Sequence, residues 1–447
     1  NCDWSSDVCS SDLVKLRGLL KMNSEVDLTA GTLKGAWRDY LARIKSGDMG
    51  ALPGVLGLVA LCVVFGAMSD VFLTPGNFAN LLTQAASVTV IAMGLVFVLL
   101  LGEIDLSAGY ASGVCGAVLV ILITNHGYAW WLALLISIVV GALLGFVIGN
   151  LVSKLGIPSF VVTLASFLGF QGLLLLLAGE GGTIRIDNKN ILAVQNNNLS
   201  PSLSWAFFLA VSVIYVLIGL ARINSRRKAG LKSELKKLWV IKTASLLIIG
   251  ALAVFVLNKE RSNNPDLVSL KGTPYVVPVI LFLLVAGTFV LGRTAYGRHI
   301  YAVGGNAEAA RRSGINVKNI RTSAFVICSS FAAIAGMLFA SRQNSISPTT
   351  GGSSTLLYAV GAAVIGGTSL FGGKGKMRDA VLGGLVVAVI DNGMGLLGYA
   401  AGIKFIVTGI VLLISAGVDA ISRRGADRKS TRLNSSHSSV SRMPSSA

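Results

Sequence analysis

Residues 297–321 read GRHIYAVGGNAEAARRSGINVKNIR, a long polar and basic segment between two apolar runs of membrane-spanning length. The segment predicts a turn at residues 304–306, a short helix at residues 307–312 and a stop at Gly314. Because so polar a segment has no place in a lipid core, something outside the membrane must hold it.

The predicted short helix has its own N-cap residue and charges that suit the helix dipole. Asn306 is a good N-cap, and Glu308 lies in the first turn, where the helix dipole favours an anion. Arg311 and Arg312 lie near the end, where the dipole favours cations. A short, self-capped helix in a loop is typical of an element that docks into a groove on a partner protein. The alternative is a solvated loop whose arginines only fix membrane topology.

Composition sets the class of protein. The chain has 447 residues, of which 53% are hydrophobic and 13% charged, with a mean hydropathy of +0.73. Such a chain is too apolar for a soluble globule and indicates a polytopic membrane protein. The 52 glycines, spread through apolar runs, indicate closely packed helices. The net charge of +18 is an orientation signal, because no nucleic-acid recognition motif accompanies it.

Both ends of the chain differ from the apolar body. Residues 1–13 and 429–447 are Ser-rich and unpatterned, and they resemble translated adapter or vector sequence. Disordered natural tails are the alternative. We expect residues 14–50 to be a cytoplasmic N-terminal segment and most of residues 425–447 to be a non-native tail.

The body, residues 51–424, predicts an all-α, polytopic membrane helical bundle of about ten to twelve transmembrane helices, since a crossing takes about twenty apolar residues. The tenth candidate is short and Gly-rich. The candidate spans are 51–72, 81–101, 106–124, 129–152, 158–178, 204–221, 239–257, 275–291, 322–340, 356–371, 380–397 and 403–420.

Orientation follows from the lysines and arginines of the loops. Basic residues concentrate at 222–237, in the loop 293–321 and at 374–378, and all three segments should face the cytoplasm. Counting spans between them also places the N- and C-termini in the cytoplasm. The segments predicted to face outward are 179–203, 258–274 and 341–355.

The sequence contains no recognisable ATP-binding motif. Residues 366–376, GGTSLFGGKGK, have the wrong spacing for a phosphate-binding loop, and neither Lys374 nor Lys376 precedes a hydroxyl residue. We interpret them as a flexible hairpin between helices. We predict no catalytic residue, no metal site and no cofactor bound by this chain. The energy for transport would come from a partner or from an ion gradient.

Two groups of polar residues interrupt the apolar runs and mark a candidate substrate pathway, because ionisable groups in a membrane are costly. Glu103, Asp105 and Ser107 join the second and third spans, and Asp391 and Asn392 lie deep in the eleventh. Two structural alternatives stay open. Asp105 suits the N-cap of the third helix, and Asp391 suits an interhelical hydrogen bond.

Five separated motifs carry a family resemblance. They are GEIDLSAGY at 102–110, GIPSFVVTLASFLGFQG at 156–172, GRHIYAVGGNAEAARRSGINV at 297–317, VIGGTSLFGGKG at 364–375 and DNGMGLL at 391–397. In this order they resemble the permease subunit of bacterial ATP-binding-cassette sugar importers of the ribose and xylose group. The xylose branch is the most similar, because it shares the extra pair of spans around the basic loop.

The resemblance implies a cytoplasmic coupling helix that docks on an ATPase subunit. It also implies a second permease copy, an external sugar-binding protein and ATP with Mg²⁺ used only by the partner ATPase. The protein would be a multi-pass protein of the bacterial plasma (inner) membrane, without nucleic acid, and its cargo xylose or a related pentose. Leu356 and Tyr358 stand where the family often has acidic residues. The coupling role falls on Gly304, Gly305, Asn306, Glu308, Ala309, Ala310, Arg311 and Gly314.

Two other functions remain open from the residues. One is a proton-coupled secondary carrier that uses Asp105 or Asp391 as its proton site. The other keeps the ATP-driven machinery but moves a different small polar solute, such as a furanose, a nucleoside or a branched amino acid.

Overall fold

The computed structural model describes most of the apolar body, and the predictions made for residues 1–50 and 425–447 lie outside that part. The chain divides into two compact units, a smaller one containing Ala210–Gly250 and a larger one formed by Met49–Leu209 and Ala251–Arg424. The described residues are 52–179, 182–228, 236–262, 264–266 and 269–417.

The described residues are almost entirely helical, with one antiparallel pair of two-residue strands. The elements before the loop predicted to be cytoplasmic are α1 Leu52–Met68, α2 Pro75–Leu99, α3 Ala108–Thr124, α4 Trp130–Ser153, α5 Ser159–Ala178, β1 Ile184–Arg185, α6 Lys189–Asn196, α7 Pro201–Lys228, α8 Lys236–Leu257 and α9 Val276–Arg293. The remaining elements are α10 Ala295–Gly305, α11 Ala307–Arg312, α12 Val317–Gln343, β2 Ser345–Ile346, α13 Ser353–Ile365, α14 Met377–Leu396 and α15 Ala401–Gly417.

Each of the predicted spans coincides with one apolar helix, which confirms the all-α bundle. Within the described residues, 8 helices are long and apolar enough to cross a membrane, namely α2, α4, α5, α7, α8, α9, α12 and α14. The shorter apolar helices are α1, α3, α13 and α15. α13 has 13 residues, so it is only about 20 Å long. It therefore falls short of the roughly 30 Å hydrocarbon core.

A row of glycines on α4 forms a close helix contact within the larger unit. Gly141, Gly145 and Gly149 follow one another at every fourth position, so they share one face of the helix. A Cβ on Gly141 would lie 2.6 Å from the carbonyl oxygen of Ser329 in α12, and one on Gly145 would overlap the carbonyl of Phe325. The two backbones are therefore in direct contact, the packing that small residues permit in membrane helices.

The connecting segments gather at two ends of the larger unit. At one end the Gly373 N–H donates to the Leu100 carbonyl at 2.8 Å, and the Tyr301 hydroxyl donates to the Gly375 carbonyl at 2.7 Å. At the other end β1 pairs with β2, and Asn198 forms a bridge with Pro274. Segments predicted to share a side of the membrane thus meet one another. Which end is cytoplasmic stays a prediction.

Two local predictions are wrong. Gly304 and Gly305 do not form a turn but end helix α10, which the sequence analysis missed, and only Asn306 is extended, with φ −159°. Ile300 and Val303 of α10 are buried, so packing outweighs the low helix propensity of two glycines. Residues 366–376 form a hairpin that is held by hydrogen bonds and partly buried, where a flexible one was expected.

The α4 glycine row predicts a matched pair of variants. Gly145→Ala should lower the thermal midpoint of the protein in detergent, because the added methyl overpacks the α4–α12 contact at a cost of about 1–3 kcal/mol. Gly169→Ala in α5 adds the same methyl to open space and should stabilise by up to about 1 kcal/mol through helix propensity. Equal thermal midpoints for the two variants would contradict the packing account.

Candidate functional site

Helix α11 is the predicted self-capped helix, and the structure confirms its local geometry. The Asn306 side chain accepts a hydrogen bond from the Ala309 N–H at 2.9 Å, and Gly314 follows the helix with φ +82°. Ala310 is buried and anchors the helix. The Glu308 side chain is exposed, so the helix presents a charged face outward from the described residues.

The charges on that face pair with one another. Arg311 and Arg312 both donate to Glu308 Oε1, at 2.9 and 3.2 Å. The hydrogen bonds from Arg311 and Arg312 lower the pKa of Glu308 below its usual range, so its carboxylate is ionised at neutral pH. Fully exposed pairs of this kind contribute little to stability. They give the surface a defined charge pattern that a partner can match.

The α10 helix that precedes α11 rests on the end of α2. A Cβ on Gly304 would overlap the Leu100 carbonyl oxygen and lie 2.9 Å from the Gly373 nitrogen. A Cβ on the neighbouring Gly305 would meet nothing within 4 Å. Of these two glycines, only Gly304 is required for close approach. It joins the helix before α11 to α2 and to the 366–376 hairpin.

Glu103 lies at the same end and pairs with a residue that the sequence analysis did not link to it. Its Oε1 is 3.3 Å from Arg321 Nε, and the pair is mostly shielded from solvent, with side-chain exposures of 15% and 32% respectively. Arg321 belongs to the first turns of α12, directly after α11. The ion pair therefore links the α2–α3 connection to α12, the helix that follows α11.

Asp105 and Ser107 are fully buried and bonded to each other. Asp105 Oδ1 accepts from the Ser107 N–H at 2.9 Å and from the Ser107 hydroxyl at 2.6 Å. The N-cap position of α3 is Ser107, whose own side chain makes no capping bond. This corrects the prediction that Asp105 is the N-cap. Asp105 lies two residues before the N-cap residue and accepts both hydrogen bonds from it.

A second group of polar side chains joins α2, α14 and α15. Asn77 and Asn392 exchange amide hydrogen bonds of 2.9 Å in both directions. Gln84 donates to Asp391 Oδ2, and Lys404 Nζ lies 3.5 Å from Asp391 Oδ1. These five residues are called the polar cluster below. The interhelical hydrogen bond predicted as one alternative for Asp391 is present.

The structure thus separates the candidate pathway residues into two groups. Gln84 precedes Leu100 by sixteen residues on one continuous helix segment, which puts the polar cluster about 24 Å along the axis from the Leu100 contact. Glu103, Asp105 and Ser107 lie near that contact. Lys404, which completes the cluster, was overlooked although it is an ionisable residue in a predicted span.

The described residues contain no group of three or more His, Cys, Asp or Glu side chains arranged to hold a metal ion. Cys62, Cys115 and Cys328 are free thiols. Cys115 and Cys328 are buried in helices, in line with the interpretation of these cysteines as small core residues.

The structure is a bundle of apolar helices with an exposed, self-capped helix at one end. The chain belongs to the family described as branched-chain amino acid transport system / permease component, which it matches over residues 77–416. It is a multi-pass protein of the bacterial inner membrane.

Individual relatives are similar over most of their length. The xylose transport system permease protein of Escherichia coli (strain K12) is 35% identical over 90% of this chain and 98% of its own. That of Haemophilus influenzae is 31% identical over 86% of this chain and 99% of its own. The ribose import permease protein of Bacillus subtilis (strain 168) is 30% identical over 83% of this chain and 94% of its own. No solved structure matches the chain significantly.

The Glu103–Arg321 pair predicts a measurable coupling. In a double-mutant cycle with Glu103→Gln and Arg321→Gln, thermal unfolding in detergent should give a coupling of about 1 kcal/mol, because the pair is shielded from solvent. The exposed Glu308–Arg311 pair, treated in the same way, is the control and should give a much smaller coupling. Equal couplings for the two pairs would rule out a special role for the shielded one.

Proposed function

We propose that this chain is the permease subunit of an ATP-binding-cassette importer that translocates a monosaccharide, xylose or a related pentose, delivered by an external binding protein. The observation that carries the proposal is helix α11, an exposed and self-capped helix that follows α10, which itself rests on the end of α2. The names of the xylose and ribose relatives support the choice of cargo.

The proposed partner at α11 is a cytoplasmic ATPase that binds ATP with Mg²⁺. The proposed coupling segment consists of the eight residues assigned to coupling from the sequence, and its docking surface is formed by those that are exposed. Within it, Glu308 and Arg311 present opposite charges to the partner, while the buried Ala310 fixes the helix to its own bundle. We further propose that a second copy of the chain completes the translocation path.

Movement of α11 would reach the bundle by two routes. One runs directly into α12, which begins at Val317 and is tied to the α2–α3 connection by the Glu103–Arg321 pair. The other runs through α10, where Gly304 lies against Leu100 of α2. Because both routes are backbone contacts or shielded pairs, a shift of α11 moves whole helices. Alternating access would follow from ATP binding to the partner.

The proposed path has an outer and an inner group of polar residues. Asp391 and Asn392 lie in the polar cluster, while Glu103, Asp105 and Ser107 lie at the coupling end. A ligand shifts a two-state equilibrium only through different affinity for the two states. Tight sugar binding in the membrane would hinder release, so specificity would rest mainly with the external protein.

Charge reversal on α11 tests the docking role. Arg311→Glu and Glu308→Lys should each reduce co-purification of the ATPase and ATP-driven xylose uptake at least about tenfold, because a like-charge contact costs several kcal/mol. Lys318→Glu, an exposed reversal at the start of α12, is the control and should change neither readout. Unchanged co-purification and uptake in the α11 variants would refute the docking role.

The Gly304 contact predicts a different defect. Gly304→Ala should leave the ATPase bound but reduce uptake per ATP hydrolysed several-fold, because the added methyl separates α10 from Leu100. Gly305→Ala places the same methyl in open space and should keep the normal stoichiometry, because it leaves α10 seated on Leu100. Transport stoichiometry in proteoliposomes measures the difference. Normal stoichiometry in Gly304→Ala would remove α10 from the transmission route.

A further inference from the structure

The polar cluster draws side chains from several helices to one place within the bundle. Asn77 and Gln84 come from α2, Asp391 and Asn392 from α14, and Lys404 from α15. Polar groups that converge from separate helices in an apolar protein are the usual arrangement of a small-molecule site.

Side chains of two further helices border the cluster. Arg342 of α12 donates to the Thr83 hydroxyl of α2 at 2.9 Å and is close enough to Asp391 to interact with it electrostatically. The ring of Tyr358 of α13 lies 6.2 Å from that of Phe405, the residue next to Lys404 in α15. The border therefore supplies one more cation and two aromatic rings.

The charges of the cluster are accessible. The Asp391 side chain is 31% exposed and that of Lys404 21% exposed, although both lie in helices that the sequence assigns to the membrane. Asp391 lies five residues before the end of α14 and Lys404 in the first turn of α15, so the cluster lies near one end of the bundle, where charged side chains face water and not lipid, because exposure to lipid is costly. The accessible side of the cluster is therefore a wetted surface.

We propose that the polar cluster is a binding station for a neutral monosaccharide in the translocation path, where ring hydroxyls hydrogen-bond to Asp391, Lys404 and the neighbouring amides. This inference rests on the proposed function, because it assigns the station to the importer's cargo. It adds Gln84 and Lys404 to the residues that contact the cargo, while Asn77, buried and bonded to Asn392 and to the Phe72 carbonyl, holds the cluster together.

Hydrogen-bonding capacity supports this ligand class. A carboxylate accepts about four hydrogen bonds and an ammonium donates three. Within the described residues Asp391 accepts from Gln84 and pairs with Lys404, which leaves acceptors and donors for vicinal hydroxyls. The rings of Tyr358 and Phe405 offer an apolar surface to the C–H face of a sugar.

Charge balance favours a neutral ligand over a zwitterion. Asp391 is already offset by Lys404 at 3.5 Å, so a ligand ammonium would have to displace that lysine and would also meet the positive charge of Arg342 at the border. A neutral polyol binds without breaking the pair and without a large electrostatic gain. Such binding is weak, as a station that must release its cargo requires.

The test uses the complete importer in proteoliposomes, with ATPase and binding protein. Asp391→Asn and Lys404→Gln should keep ATP hydrolysis stimulated by the binding protein while xylose uptake falls at least tenfold. Asp70→Asn, an exposed substitution in the α1–α2 connection, is the matched control and should transport normally. Normal uptake in both cluster variants would overturn the station.

A charge-swap variant separates binding from mere structure. Asp391→Lys combined with Lys404→Asp restores an ion pair but moves the acceptor to another helix. A sugar station predicts that uptake stays low in an assembled complex. Full recovery of uptake would show that the Asp391–Lys404 pair has only a structural role and would overturn the proposal.

Direct occupancy is measured by thiol labelling of Asn80→Cys, an exposed α2 position one turn from Gln84, read by peptide mass spectrometry. Saturating xylose or ribose should slow labelling at least threefold, and leucine should not. Protection by leucine alone, or by none of the three, would overturn the assignment. If the unaltered importer shows no ATP-dependent uptake, the proposed function itself fails, whatever the labelling shows.

Discussion

The backbone contact between α4 and α12 is the constraint on which the rest of the structure depends. Gly145 has no room for a methyl group against the Phe325 carbonyl, so the two helices approach as closely as their main chains allow. The Ser153 and Thr322 hydroxyls, 2.7 Å apart, close the same interface at its end. In a lipid environment, where apolar surface alone drives little association, such close packing holds helices together.

That contact matters for function because α12 continues directly from the α11 loop. A helix packed main chain to main chain moves as a rigid element, and two such packed elements shift between discrete arrangements more readily than they bend. The Gly304–Leu100 contact attaches α2 to the same loop, and α2 carries Gln84 about 24 Å and Asn77 about 35 Å from that contact. A single helix therefore links the coupling end to the polar cluster.

Much of the fold could be predicted from the sequence, because membrane helices require long apolar runs and basic loops mark their ends. The cap at Asn306 was predictable because capping is local. Helix α10 was not, since Gly304 and Gly305 indicate a turn until their packing is known. The Glu103–Arg321 and Asp391–Lys404 pairs join residues that no local sequence pattern connects, so only the packed helices reveal them.

The central proposal is that this chain does not hydrolyse ATP itself and that a partner ATPase drives transport. The most direct measurement is xylose uptake into proteoliposomes containing the purified chain, with or without its ATPase and binding protein, and with either ATP or a proton gradient. The account predicts uptake only when both partners and ATP are present. Uptake by the chain alone, driven by the proton gradient, would contradict it and establish a secondary carrier.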